Sequence, residues 1–150
     1  MQSDFSMLRD FDLSEIPADE LRERAIREAD GIWGGNLVGN RTYERVVADS
    51  AYGNAAELFC IHHGGMEDDK RQFRDVIQNN IPFEVKCTEH VGNIDRVLEK
   101  LATRKMRFGN RHADYALIWT NARKQGSTKY EFQGVYYWSK GRFWKQRELA

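Results

Sequence analysis

Asp75, Glu84 and Lys86 fall in one short stretch where apolar and polar residues alternate. Ile81, Phe83, Val85 and Cys87 alternate with Pro82, Glu84, Lys86 and Thr88, a period of two that places Glu84 and Lys86 on one face of a strand. Residues 72–78 form a second strand candidate, joined to 81–88 by Asn79-Asn80, residue types that tolerate the positive φ of a two-residue hairpin turn. Such a turn pairs 78 with 81, 77 with 82, 76 with 83 and 75 with 84. Asp75 then stands opposite Glu84 at a non-hydrogen-bonded position, where Cα atoms approach to about 4.5 Å. Pro82 likewise falls in a non-hydrogen-bonded pair, where its missing N–H costs this ladder nothing. Two carboxylates held that close repel, and a divalent cation relieves the conflict. Magnesium prefers hard oxygen ligands, commonly one or two carboxylates with waters and substrate phosphates. Lys86, two residues from Glu84, can orient a water or stabilise charge developing on a phosphate. Thr88 continues the same face as a further hydrogen-bonding candidate.

The elements that must position these groups read as follows. Pro17 suits the first turn of a helix over 18–29, with Leu21, Ala25 and Ala29 on one stripe and Gly31 as its stop. The glycine-rich segment 31–39 is expected to be a loop, and its glycines lack the spacing of a nucleotide-binding loop. Helical patterning over 42–48 and 55–63 predicts two pieces, the second with Asn54 as N-cap and Gly64 as stop. Asn93 is the expected N-cap of a helix over 94–105 that turns Ile94, Val97, Leu98 and Leu101 inward. Residues 113–120 form an apolar strand of the kind covered on both faces, and 130–138 with 142–146 form a hairpin turning at 139–141. Residues 1–17 read as acidic and irregular. The order is that of one mixed α/β domain spanning 1–150.

An aspartate, a short gap, then Glu-x-Lys on the next strand resembles the PD-(D/E)xK nuclease superfamily, which includes many restriction endonucleases and the archaeal-type Holliday junction resolvases. The resemblance covers residues 53–121: helix, hairpin, helix, apolar strand. Arg74 stands where the motif has proline, a position that varies in the superfamily. The resemblance implies a restriction endonuclease-like core, a mixed sheet flanked by helices, and a metal-dependent DNA endonuclease of restriction or homing type. Within it, a junction-resolving enzyme, an RNA-directed nuclease and a non-catalytic nucleic-acid-binding module of the same fold remain open. The resemblance further implies a helical acidic ligand before the hairpin: Glu57, with Glu44 in reserve. Asp75, Glu84 and Glu57 are thus the expected ligands of Mg²⁺ or Mn²⁺, with Lys86 beside them. Two-strand cutting needs two sites, so a homodimer is expected.

The chain is electrically neutral, yet residues 101–150 hold 11 basic and 3 acidic side chains. A basic third of this kind can track a phosphate backbone. Lys105, Arg107 and Arg111, between a helix and the apolar strand, are candidate DNA contacts, as are Lys129, Lys140 and Arg142 in a basic hairpin over 129–146. At least two of Trp138, Phe143 and Trp144 are expected to pack across that hairpin. Cys60, His62, His63, Cys87 and His90 could ligate zinc, but their spacing fits no familiar module and Cys87 lies on the apolar strand face. With two cysteines, no apolar run of signal-peptide length at the acidic N-terminus and no stretch of about 20 apolar residues, the expectation is a soluble cytoplasmic protein.

Overall fold

The computed structural model describes residues 5–34, 40–71 and 74–146, omitting the side chains of 32–34. The chain is α/β, with seven strands in one mixed sheet: β1 (Phe11–Asp12), β2 (Glu67–Asp68), β3 (Val76–Gln78), β4 (Ile81–Thr88), β5 (Tyr115–Thr120), β6 (Lys129–Ser139) and β7 (Arg142–Lys145). The order is β1-β6-β5-β4-β3-β2, and β7 also pairs with β6. Among the described residues, only β4 and β5 run parallel. A parallel pair needs a crossover, here supplied by α3 (Ile94–Phe108). The other long helices are α1 (Ala18–Gly34) and α2 (Tyr43–His62).

The two faces of the sheet carry different cores. Phe83 and Val85 of β4, Leu117 and Trp119 of β5 and Val135 of β6 pack with Ala55, Ala56, Leu58, Phe59 and Cys60 of α2. The intervening Ala116, Ile118 and Tyr136 pack with Leu101 of α3 and Phe143 of β7. Glu84, Lys86 and Thr88 share that second face, since they pair with Ala116, Ile118 and Thr120. Both two-residue turns have positive φ, at Asn79, Asn80, Lys140 and Gly141, and all but Lys140 are residue types that favour it. The β3–β4 register is 76 to 83, 77 to 82 and 78 to 81, as the turn arithmetic requires.

The structure corrects several sequence expectations. α1 continues through Gly31 to Gly34, so the expected loop over 31–39 begins as helix and its remainder lies outside the described residues. One helix replaces the two pieces at 42–48 and 55–63. Thr42 caps it, its Oγ1 accepting from the Arg45 N–H at 3.2 Å. A helical glycine costs about 1 kcal/mol relative to alanine, and the fully buried Val46, Ala55, Ala56, Leu58 and Phe59 outweigh the cost at Gly53. Asn54 is no cap: it is buried in mid-helix, where its amide donates to Ser50 O at 2.8 Å and across to Glu28 of α1 at 2.6 Å. Gly64 does end the helix, and glycine is required there because a Cβ would lie 2.8 Å from both Cα and O of Cys60.

Asn93 occupies the N-cap position of α3 without a capping side-chain bond. The acidic start is not irregular throughout: Phe11 pairs with Tyr130 through β1 and stacks on Phe59 (4.4 Å) and Tyr130 (4.7 Å). The strand expected over 72–78 is confined to Val76–Gln78, with residues 72 and 73 outside the described residues.

Candidate active site

Asp75 is where β3 leaves the regular ladder. Its amide donates to Phe83 O at 2.9 Å, and its carboxylate accepts from the Val85 N–H at 2.8 Å. The side chain thereby takes the place of a backbone acceptor, pinning the acid to the middle of β4. Glu84 follows on that strand with only 2% of its surface exposed. Burial first, and then the Asp75 charge, push its carboxyl up to about 8 against the opposing pull of Lys86 and Arg104. α2 delivers Glu57 from the other side. Burial, then Asp75, push that carboxyl up to about 9, with Arg24 opposing. Asp75 and Glu57 line one cleft, and the Asp75 charge acts on both glutamates. Lys86 completes the group, its Nζ 3.8 Å from Glu84 Oε2. Lys86 thus neighbours Glu84, while Glu57 shares its cleft with Asp75.

Glu44 is excluded as the helical acid. It lies in the first turn of α2, 13 residues before Glu57, hence about 20 Å away along the helix. It lines instead an apolar groove with Leu13, Ile16 and Leu21.

Two neighbours have no local signal in the sequence. Arg24 of α1 holds Glu57 (3.0 Å) and Asp68 (2.9 Å), cross-linking α1, α2 and β2 beside the acids. Its place next to the buried Ala25 is the only hint that it faces α2. His112 is buried with Nε2 3.6 Å from Glu84 Oε1, while Nδ1 meets Ala113 O at 3.0 Å. Burial holds the imidazole below its ordinary value, as do Arg104, Lys105 and Lys86. A cleft of about 290 Å³ opens beside Glu57 and Asp75, lined also by Arg24, Arg27 and Arg74.

Among the described residues, no three His, Cys, Asp or Glu side chains are set out as a finished metal cage. Glu57 is engaged by Arg24 and Asp75 by the Val85 amide. Burial and the Asp75 charge disfavour the ionised forms of Glu57 and Glu84. The zinc candidates disperse. Cys60 and Cys87 are free thiols, His62 meets Glu20 (2.7 Å), His63 meets Glu15 O (3.0 Å), and His90 accepts from the Gly92 N–H (3.0 Å).

The expected phosphate contacts divide. Lys105 is withdrawn: only 6% exposed, its ammonium meets Gly109 O (2.9 Å), His112 O (2.8 Å) and Asp114 (2.7 Å). Those partners use all three of its donors. Arg107 and Arg111 are exposed, with their guanidinium groups 5.3 and 5.4 Å from the Phe108 ring centre. Lys129 is exposed but lies beyond the Thr88–Thr120–Glu131 end of the sheet, away from the acids. Lys140 and Arg142 are exposed at the β6–β7 turn, and Arg142 lies 3.3 Å from the centre of the Trp144 ring. Trp138 packs on Phe143 at 5.2 Å, as expected for cross-strand partners. Thr88 is buried, which removes it from solvent and from any phosphate.

No protein family, curated protein or solved structure matches the chain. No helix among the described residues is long and apolar enough to cross a membrane.

Proposed function

We propose that this chain is a metal-dependent endonuclease that hydrolyses phosphodiester bonds in DNA, with a restriction endonuclease-like core of the PD-(D/E)xK type. The observation that carries the reading is Asp75 pinned to β4 by the Val85 N–H, with Glu57 in its cleft, the buried Glu84 on β4 and Lys86 3.8 Å from Glu84. Without a cation, that concentration of carboxylates only destabilises the fold. Asp75, Glu84 and Glu57 would hold Mg²⁺ or Mn²⁺, which supplies an electrophile for the phosphate and makes a nearby water more acidic. Lys86, 36% exposed at its side chain, is placed to hydrogen-bond a phosphate oxygen and offset the charge that grows on it. Arg107, in the last turn of α3 on the Glu84 face of the sheet, and Arg111, in the turn after it, offer backbone phosphate contacts. The exposed Lys140 and Arg142 at the β6–β7 turn offer further phosphate contacts, and a homodimer would present two such sites to two strands.

The test is cleavage of linear duplex, supercoiled plasmid, four-way junction, single-stranded DNA and RNA with Mg²⁺, Mn²⁺ or EDTA, comparing wild type with Lys86→Ala. Metal-dependent cutting that disappears in the variant is expected. Preference for duplex sites indicates a restriction or homing enzyme, and preference for the junction a resolvase. Binding without cutting of any substrate sinks the endonuclease reading and leaves a binding module.

A further inference from the structure

Three arginines line the cleft beside Glu57 and Asp75, and they are not equivalent. Arg24 is committed to Glu57 and Asp68 at 3.0 and 2.9 Å. Arg27 is 74% exposed at its side chain and reaches only Glu23 of its own helix, at 3.9 Å. Arg74 differs from both. Its Nη2 donates to Asn110 O at 3.0 Å, which tethers the guanidinium to the turn after α3. Its Nε is buried and has no hydrogen-bond partner among the described residues. The carboxylate that could have taken it, Asp69, is already held in a two-pronged pair by Arg71 at 2.9 and 2.8 Å. A guanidinium carries five N–H donors in a planar fork suited to phosphate, so a tethered arginine with an unanswered buried donor, immediately before Asp75, is set for an anion.

The tether also fixes direction. Asn110 adjoins Arg111, and Arg107 and Arg111 both lie close to Phe108. A cationic path therefore runs from the end of α3 to the residue next to Asp75.

We propose that Arg74 is a substrate-contacting residue that grips a non-bridging oxygen of the phosphodiester backbone lying against Asp75. The inference rests on the phosphodiesterase reading and adds to it the residue at the position where Asp75's neighbour would otherwise be proline. Arg74 supplies no metal ligand, so its loss weakens the grip on nucleic acid and leaves the carboxylates intact.

The experiment measures binding of a short duplex with Ca²⁺ in place of Mg²⁺, across a salt series, for wild type, Arg74→Gln and Arg74→Lys. Thermal unfolding and Mn²⁺ titration accompany it, and cleavage is measured with Mg²⁺. In Arg74→Gln the Kd is expected to rise at least tenfold, the loss of one charged hydrogen bond. The slope of log K against log salt should fall by about 0.9, one phosphate contact. Melting temperature and Mn²⁺ affinity should stay at wild-type values. Arg74→Lys should regain the slope but not the full affinity, because it keeps the charge and loses the fork. A wild type that cuts, beside an Arg74→Gln variant with unchanged Kd and slope, overturns the role of Arg74 and leaves the nuclease reading standing. Loss of Mn²⁺ affinity or of melting temperature in step with DNA binding, in both variants, also overturns it. A wild type that neither binds nor cuts any nucleic acid overturns both.

Discussion

Glu84→Gln tests the electrostatics of the site without reference to any substrate. Burial and Asp75 raise the Glu84 carboxyl from the ordinary 4.5 to about 8 in the fold. Between those values the native chain holds a proton that the unfolded chain has lost. The stability associated with Glu84 is therefore fully present below about pH 4.5 and is lost as pH rises towards about 8. The slope for one such group is about 1.4 kcal/mol per pH unit, which accumulates to about 3 kcal/mol at neutral pH. Glutamine preserves the shape and a hydrogen-bonding amide but cannot ionise. Urea unfolding in EDTA across a pH series should show Glu84→Gln near wild type around pH 5 and more stable by about 4 kcal/mol around pH 7.5. Some slope should remain in the variant, because Glu57, raised to about 9, titrates over the same window and in the same direction. Added Mg²⁺ should flatten the wild-type profile, since a cation favours the ionised acids, and should do so less in the variant. Parallel pH profiles for the two proteins in EDTA would refute the reasoning, because they would mean that Glu84 is ionised and solvated in the fold.

Three further outcomes are expected, each read by urea unfolding. Gly53→Ala places a methyl where no atom lies within 4 Å in the interior of α2, and should stabilise by about 0.5–1 kcal/mol. Gly64→Ala drives a Cβ to 2.8 Å from the backbone of Cys60 and should destabilise by about 1–3 kcal/mol, with the last turn of α2 as the first region to lose amide protection. Lys105→Met keeps the buried stem but strands the carbonyls of Gly109 and His112, and should cost about 2–4 kcal/mol. The salt slope of DNA binding should be unaltered in Lys105→Met, since its ammonium faces inward.

The features legible in the sequence are local and periodic. The β3–β4 register follows from a two-residue turn and simple pairing for 76–83, 77–82 and 78–81; the expected 75–84 pair is not in the ladder, because the Asp75 amide turns to Phe83 O and its carboxylate to the Val85 N–H. Alternation along β4 likewise separates Phe83 and Val85 from Glu84 and Lys86, and the period of α3 finds Leu101 and its neighbours. Expectation and structure part where a tertiary partner overrules a local signal. Gly53-Asn54 has the look of a helix break followed by a cap, but Asn54 answers Glu28 from another helix and the apolar face of α2 is buried across the junction. Lys105 belongs by type to a basic surface, yet two carbonyls from the turn after α3 and the Asp114 carboxylate draw it inside.

The continuity of α2 matters for the site itself. Had the helix broken at Gly53, Glu57 would sit in its first turn, free to adjust. In one unbroken helix, Glu57 is carried on the same rigid body as Ala55, Ala56, Leu58 and Phe59, which are fixed in the core. The only acid the helix can deliver to Asp75 is then decided by packing, and Arg24, 33 residues earlier in the chain, is recruited to hold it. Such a contact leaves no spacing to find in the sequence, because it depends on how α1 lies against α2 and not on either helix alone.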